Sequence, residues 1–354
     1  ANNLIINASG RIINSSSTKL FINLTGNLTI ESGGMIAFNA TGCASGDCLA
    51  GGNLTIEADV VNITSGAIIK VDGGRLTAIS TTFAGSGGIV NISAKTMYFE
   101  GNISLDGGDH SGASNSGNGG KGGTLILNIT NPLVINGNIT LRGGTADSNN
   151  CASNNGIRGD GGVIFITNYN PSIMINGIID AGPRNTGLCP SGFFSSSSMI
   201  NVTNLTINES KELRIGGVIN ASNIIIQGIL GPQENNFAVG TAGRRNTTNN
   251  LTIIGDVINL TSTGLISGKG ASLTASEVNY AGHGAFINIT ANTFYFDGNI
   301  TVDAGNHLGG SNQGHGGHAG TLVLSATNSY NVNGYIFARG GTGRGDSCRA
   351  NSDN

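Results

Sequence analysis

The sequence predicts an all-β chain built as a parallel β-solenoid with about three short strands per coil. Three observations carry that prediction. The chain is written twice: Met97–His110 (MYFEGNISLDGGDH) returns as Phe294–His307 (FYFDGNITVDAGNH), and Gly117–Leu127 (GNGGKGGTLIL) as Gly314–Leu324 (GHGGHAGTLVL), both at an ungapped offset of 197 residues. Inside each copy lies a shorter period, with glycine-led strands opening at Gly52, Gly88, Gly123 and Gly162. That spacing of roughly 35–39 residues falls in the range of solenoids, propellers and arrays. Within the strands, residues alternate: Ile103 and Leu105 point one way, Asn102, Ser104 and Asp106 the other. A period of two marks a half-buried strand.

No window places apolar residues at helical spacing over helical length, so crossover helices and an α/β sheet are not expected. A propeller needs four antiparallel strands per blade and commonly carries aromatic motifs. This chain shows three strands per repeat, no Trp and 5% aromatic residues.

In chain order, residues 1–50 read as two opening coils of tighter strands, ending in the loop CASGDC. Residues 51–200 read as four regular coils. Their Gly/Asn/Ser-rich loops near 75–86, 107–122, 143–161 and 181–198 lie on one side. From Met199 the opening pattern restarts, and residues 231–249 read as a loop. Residues 250–342 repeat three coils. The expected organisation is a first solenoid module over 1–200 and a second, incomplete copy over 201–354, continuous with the first. Asn and Gly at strand ends are expected to supply left-handed backbone at the corners.

Composition narrows the class. Charged residues make up 10% of 354, with a net charge of −3, too little positive charge to steer nucleic acid. No apolar run approaches the roughly 20 residues of a membrane-crossing helix. The start at Ala1-Asn2-Asn3 fits a chain whose leader has been removed.

Asn-x-Ser/Thr sequons, about twenty of them, are the strongest compartment signal. They include Asn7, Asn23, Asn27, Asn53, Asn62, Asn91, Asn102, Asn128, Asn138, Asn201, Asn204, Asn220, Asn250, Asn259, Asn288 and Asn299. In NLTI and NIT the Asn and Thr share one strand face, so the acceptor is expected to face solvent. Covalent N-glycans are expected at several sites. Acceptors stacked one strand spacing apart would crowd their sugars, which argues against full occupancy.

Five cysteines agree with an oxidising exterior. Cys43 and Cys48 share one loop and are expected to be disulfide-bonded. Cys151 and Cys189 lie in successive long loops that stacking would bring together, so they are expected to pair. By the same offset the partner of Cys348 would fall past Asn354. It is therefore expected to be free, to bond a neighbouring subunit, or to pair with a residue further along.

Candidate chemistry is sparse. His283, His307, His315 and His318 could gather around a transition metal. In the first copy His315 and His318 become Asn118 and Lys121, so a solvated polar loop is the expectation and no metal is assigned. Asp72, Asp106, Asp180 and Asp303 end strands before Gly-rich turns, where carboxylates suit turn formation; calcium is the secondary reading. Arg-Gly-Asp occurs at Arg158–Asp160 and Arg344–Asp346, at positions not equivalent under the offset. No phosphate loop, nucleophile elbow or recognisable catalytic triad is present. An enzyme should gather carboxylates with Arg or Lys in one groove; this chain spreads few charges thinly. No enzymatic activity and no cofactor are expected.

The repeated GNIT and NLTI strands with Gly-rich turns resemble extracellular parallel β-helix proteins: surface adhesins, filament subunits and the passenger regions of secreted bacterial proteins. The resemblance spans nearly the whole chain. Dense sequons without a basic or membrane segment look more like archaeal surface proteins. The resemblance implies a cell-surface or extracellular location. Repeat arrays usually need a cap, and no capping helix is visible at either terminus. An open coil is a template for another copy, and head-to-tail stacking builds a filament. The expected function is therefore a non-enzymatic structural subunit of an extracellular filament or surface layer, a glycosylated homopolymer. The alternatives are an adhesin binding glycans or surfaces through its loops, and a β-helix polysaccharide lyase or hydrolase.

Overall fold

The computed structural model describes residues 2–15, 18–40, 42–44, 47–77, 83–111, 117–146, 159–167, 172–183, 194–232, 249–272, 281–308 and 315–343. Cys151, Cys189 and Cys348 lie outside the described residues, as do Arg158 and the second Arg-Gly-Asp.

The chain winds as a parallel β-solenoid with no helix among the described residues. Two sheets run its length, one of 14 strands and one of 11. The longer sheet covers two faces of each coil. In Ile89–Phe99 the in-out alternation breaks at Lys95 and Thr96, which both turn outward, and the strand bends there onto the second face. Asn53–Ile63, Asn250–Leu260 and Phe286–Phe296 are strands of the same 11-residue length. Elsewhere the two faces are separate short strands, Thr124–Ile129 and Leu133–Ile135, before Asn138–Thr140 forms the third. Pairing continues through position 200: Met199–Ile207 joins Val163–Thr167 and Ser172–Ile175 on one side and Gly217–Ile226 on the other.

Parallel pairing in register stacks like on like. On the third face Ile36, Ile69, Ile103, Ile139, Ile179, Leu213, Leu230, Ile266 and Ile300 form one buried column. Among the described residues Ile12 is its first member and Ile336 its last. Each fully buried aliphatic side chain contributes about 1.5–3 kcal/mol, so such columns supply the driving force that helices and long-range packing provide in globular chains.

Coil length varies, and the first coil takes 24 residues, from Leu4 to Leu28. Where no loop intervenes, one coil takes 19 residues, as from Asn201 to Asn220. Elsewhere the step is commonly 36, as from Asp106 to Arg142. The difference is the Gly-rich segment between the third face and the next coil. Its outgoing and returning runs interleave: Gly85 N donates to Gly74 O, Gly108 N to Gly85 O, Gly120 N to Gly108 O, Gly144 N to Gly120 O and Gly159 N to Gly144 O. The second copy repeats this through Ala271, Gly282, Gly305, Gly317 and Gly341. A methyl group on Gly108 would stand 2.0 Å from the Gly74 carbonyl oxygen. These glycines are therefore required by close backbone approach.

That corrects the expectation that glycine serves left-handed corners. Among the described residues only Gly33, Gly66, Gly217, Gly231 and Ser210 have positive φ. Gly33, Gly66 and Ser210 do turn corners into the third face, as expected there. In most of the Gly-rich segment the reason is space instead.

Candidate functional site

Outside the core, the chemistry sits in three places: the outer faces, the edge after the third face, and the Gly-rich lobe. All sixteen sequon asparagines named above are exposed or half-exposed and none is buried. Alternation causes this, because the apolar residue between Asn and Thr is the one drawn into the core. Several are tied to the next coil. Asn138 Nδ2 donates to Asn102 Oδ1 at 3.4 Å, Asn220 Nδ2 to Asn201 Oδ1 at 3.4 Å, and Asn204 Nδ2 to Ser172 Oγ at 2.9 Å.

At the edge after the third face the four aspartates do more than end strands. Asp106 accepts two hydrogen bonds from the Arg142 guanidinium, at 2.7 and 3.2 Å, and one from Arg142 N at 2.7 Å. Asp303 accepts the same three from Arg339, at 2.6, 3.1 and 2.8 Å. Asp180 accepts from Arg214, a buried pair at 2.8 Å, with the guanidinium 5.5 Å from the Phe194 ring centre. Asp72 accepts from Ser104 Oγ and Asp106 N. Burial, then the neighbouring Asp106 charge, push the Asp72 carboxyl above the usual range, against the Ser104 hydrogen bond. Sequence reasoning missed these pairs. For Asp106–Arg142 and Asp303–Arg339 the signal was the 36-residue step from Asp to Arg repeated in both copies.

The histidines do not form one solvated loop. His307 and its first-copy counterpart His110 are buried, and the His110 ring fills the space a methyl on Gly117 would need. His283 and His318 stack on the outside with ring centres 4.8 Å apart, and His318 N donates to His283 Nδ1 at 2.7 Å. Partial burial, then the charge of His318, lower the His283 pKa. A neutral His283 accepting at Nδ1 carries its proton on Nε2, so neither nitrogen presents a spare lone pair to a metal. Among the described residues no three His, Cys, Asp or Glu side chains converge as a metal site. This pair borders an open groove of about 550 Å³ with Asn250, Phe286 and Thr321. Cys43 and Cys48 are disulfide-bonded, and the two cysteines pack on Leu76 and Ala84 beside the main core.

These features define a protein of the parallel β-solenoid class, with an outer surface braced by lateral side-chain pairs. Comparison with family models, curated proteins and solved structures returned no match to this chain.

Proposed function

We propose that the protein is a non-enzymatic structural subunit of an extracellular filament or surface layer, glycosylated outside and assembling head to tail. One observation carries this reading: among the described residues the inner columns are only partly covered at both extremities. In the last described coil Leu322, Leu324 and Ala326 are only half-buried, Val332 is 50% exposed and Ile336 46%. At the other extremity Leu4, Ile12 and Leu20 of the same columns are only partly covered. Stacking one copy on the next lays Tyr330 beside Leu4, Val332 beside Ile6 and Ile336 beside Ile12, extending each column. It leaves one strand position, next to Lys19–Asn23, that the described residues of neither end supply.

The sparse outward charge and the bracing pairs suit a load-resisting rod, and sequons on every face suit a glycan sheath. The adhesin reading has one feature in its favour, the groove beside His283, Phe286 and His318. Electron microscopy of the purified chain separates the two. Threads with a repeat of one subunit length are expected; monomers alone across concentrations and ionic strengths overturn the filament.

A further inference from the structure

We propose that Tyr98, Tyr295 and Tyr335 are docking faces for N-linked sugars carried by Asn62, Asn259 and Asn299. These three sequons are then occupied modification sites whose first pyranose lies against the neighbouring ring. The proposal rests on the glycosylation part of the reading above and is independent of filament assembly.

Register carries the argument. Asn62 is the lateral partner of Tyr98, Asn259 of Tyr295 and Asn299 of Tyr335, each in the next strand of a parallel sheet and each 36 residues away. Lateral neighbours stand about 4.8 Å apart and project from the same face. The three tyrosines are 59%, 44% and 69% exposed, so none of them helps fill the core. Four tyrosines are described. Tyr330 belongs to an inner column, edge-on to Phe294 at 6.0 Å. The other three all face out, and each stands beside the acceptor of a sequon. Two of the three pairs repeat at equivalent positions in the two copies, Asn62–Tyr98 and Asn259–Tyr295.

The acceptor nitrogens point the same way. Those of Asn128, Asn138, Asn204 and Asn220 donate to the next coil. Among the described residues no side-chain hydrogen bond engages those of Asn62, Asn259 or Asn299. On its other side each has a short or apolar neighbour: Thr29, Ile225 and Leu265. A sugar on Asn62 Nδ2 therefore has open space outward and an aromatic wall to one side. The π-face is electron-rich, and the C–H face of a pyranose presents the complementary positive edge.

In the transfer, the Asn amide nitrogen attacks the anomeric carbon of a lipid-pyrophosphate-linked oligosaccharide. The N–C bond forms, the C–O bond to pyrophosphate breaks, the amide proton goes to a base, and the lipid pyrophosphate leaves. A host transferase supplies the reaction; the chain supplies the acceptor and the dock.

The test uses the full chain secreted from a eukaryotic host, trimmed enzymatically to a single N-acetylglucosamine at each occupied site. Site mapping by mass spectrometry is followed by proton NMR of the attached sugars in wild type, Tyr98→Ala, Tyr295→Ala, Tyr335→Ala and the three Tyr→Phe variants. The expected result is sugar at all three asparagines. Their acetyl and ring protons are shifted upfield by the aromatic ring, with the shift lost in each Ala variant and kept in each Phe variant. Sugar at these sites with no ring-dependent shift overturns the docking. Sugar only at other sequons overturns the proposal and spares the glycoprotein reading. No sugar at any sequon overturns both.

Discussion

Arg339 holds Asp303 in the same three-bond grip with which Arg142 holds Asp106, and each arginine stands 36 residues past its aspartate. The two pairs bind one coil to the next by side chain as well as by backbone. They differ in setting: the Arg142 side chain is 36% exposed and that of Arg339 71%, on the last described coil. Burial of Asp303 pushes its pKa up, but the side-chain and backbone hydrogen bonds from Arg339 outweigh that and hold it below the ordinary 3.8. A lowered carboxyl pKa stabilises the fold above its unfolded value, and that stability is lost as pH falls through the folded value. Arg339→Met should therefore lower the unfolding midpoint at neutral pH and leave it unchanged in strong acid, where Asp303 is protonated in both states. Calorimetry across the acid range checks this; a deficit that persists undiminished below that window refutes it.

Asp72 has the opposite sign. Burial raises its pKa, so its ionised form costs stability above the folded value, and the cost disappears below the unfolded one. Asn in its place keeps an oxygen for Ser104 Oγ and Asp106 N and removes the charge. Asp72→Asn is expected to raise the melting midpoint at pH 7 and to be neutral well below pH 3.8. The exposed Lys70, 3.6 Å away, offsets part of the gain. Parallel melts of the two proteins at the two pH values decide it.

Much of this architecture was legible because a solenoid maps sequence periods directly onto space. The alternation in Asn102-Ile103-Ser104-Leu105 names the buried column without reference to the rest of the chain. The same alternation puts every named sequon asparagine outside. The lateral pairs were harder to see, because Asp106–Arg142 and Asn62–Tyr98 are contacts only once the coil length is known, and that length differs from coil to coil, from 19 residues between Asn201 and Asn220 to 40 between Asn136 and Asn176. His307 was misjudged as solvated for a related reason. A Gly-rich stretch reads as loop, yet here paired glycine runs close on each other through backbone hydrogen bonds and enclose His110 and His307. Composition reports that such a stretch can approach closely but does not say what it approaches.

The glycine stack makes a sharp prediction about substitution. Gly108 and Gly120 each face a carbonyl of another coil, where an added methyl would stand 2.0 and 1.9 Å from an oxygen. Neither has positive φ, so Ala is not disfavoured by conformation. In an open loop, Gly→Ala stabilises by about 0.4–1 kcal/mol through the unfolded chain. Here overpacking should win, at about 1–3 kcal/mol of destabilisation. Gly340 is the internal control, since its nearest contact is 4.0 Å away, and Gly340→Ala should be neutral or mildly stabilising. Denaturant midpoints for Gly108→Ala, Gly120→Ala and Gly340→Ala are the measurement; equal effects at all three would show that the stack does not constrain these positions.

Among the described residues Ile12 and Ile336 are the first and last members of one column. If filaments form by stacking, those side chains meet across each junction and each loses its remaining exposure there. Full burial of an isoleucine contributes about 1.5–3 kcal/mol, and 1.4 kcal/mol is a tenfold change in an association constant. Ile336→Lys places a charge in that junction and should raise the concentration needed for assembly by about tenfold or more. Because Ile336 is already 46% exposed in the single chain, the monomer's own melting midpoint should change little. Ile12→Lys should act the same way from the opposite end. A mixture of the two variants isolates the contact: one junction pairs wild-type Ile12 with wild-type Ile336, so the mixture should form dimers but not long threads. Light scattering and microscopy of each variant and of the mixture test this, and threads from Ile336→Lys alone at the wild-type concentration would exclude the column as the junction.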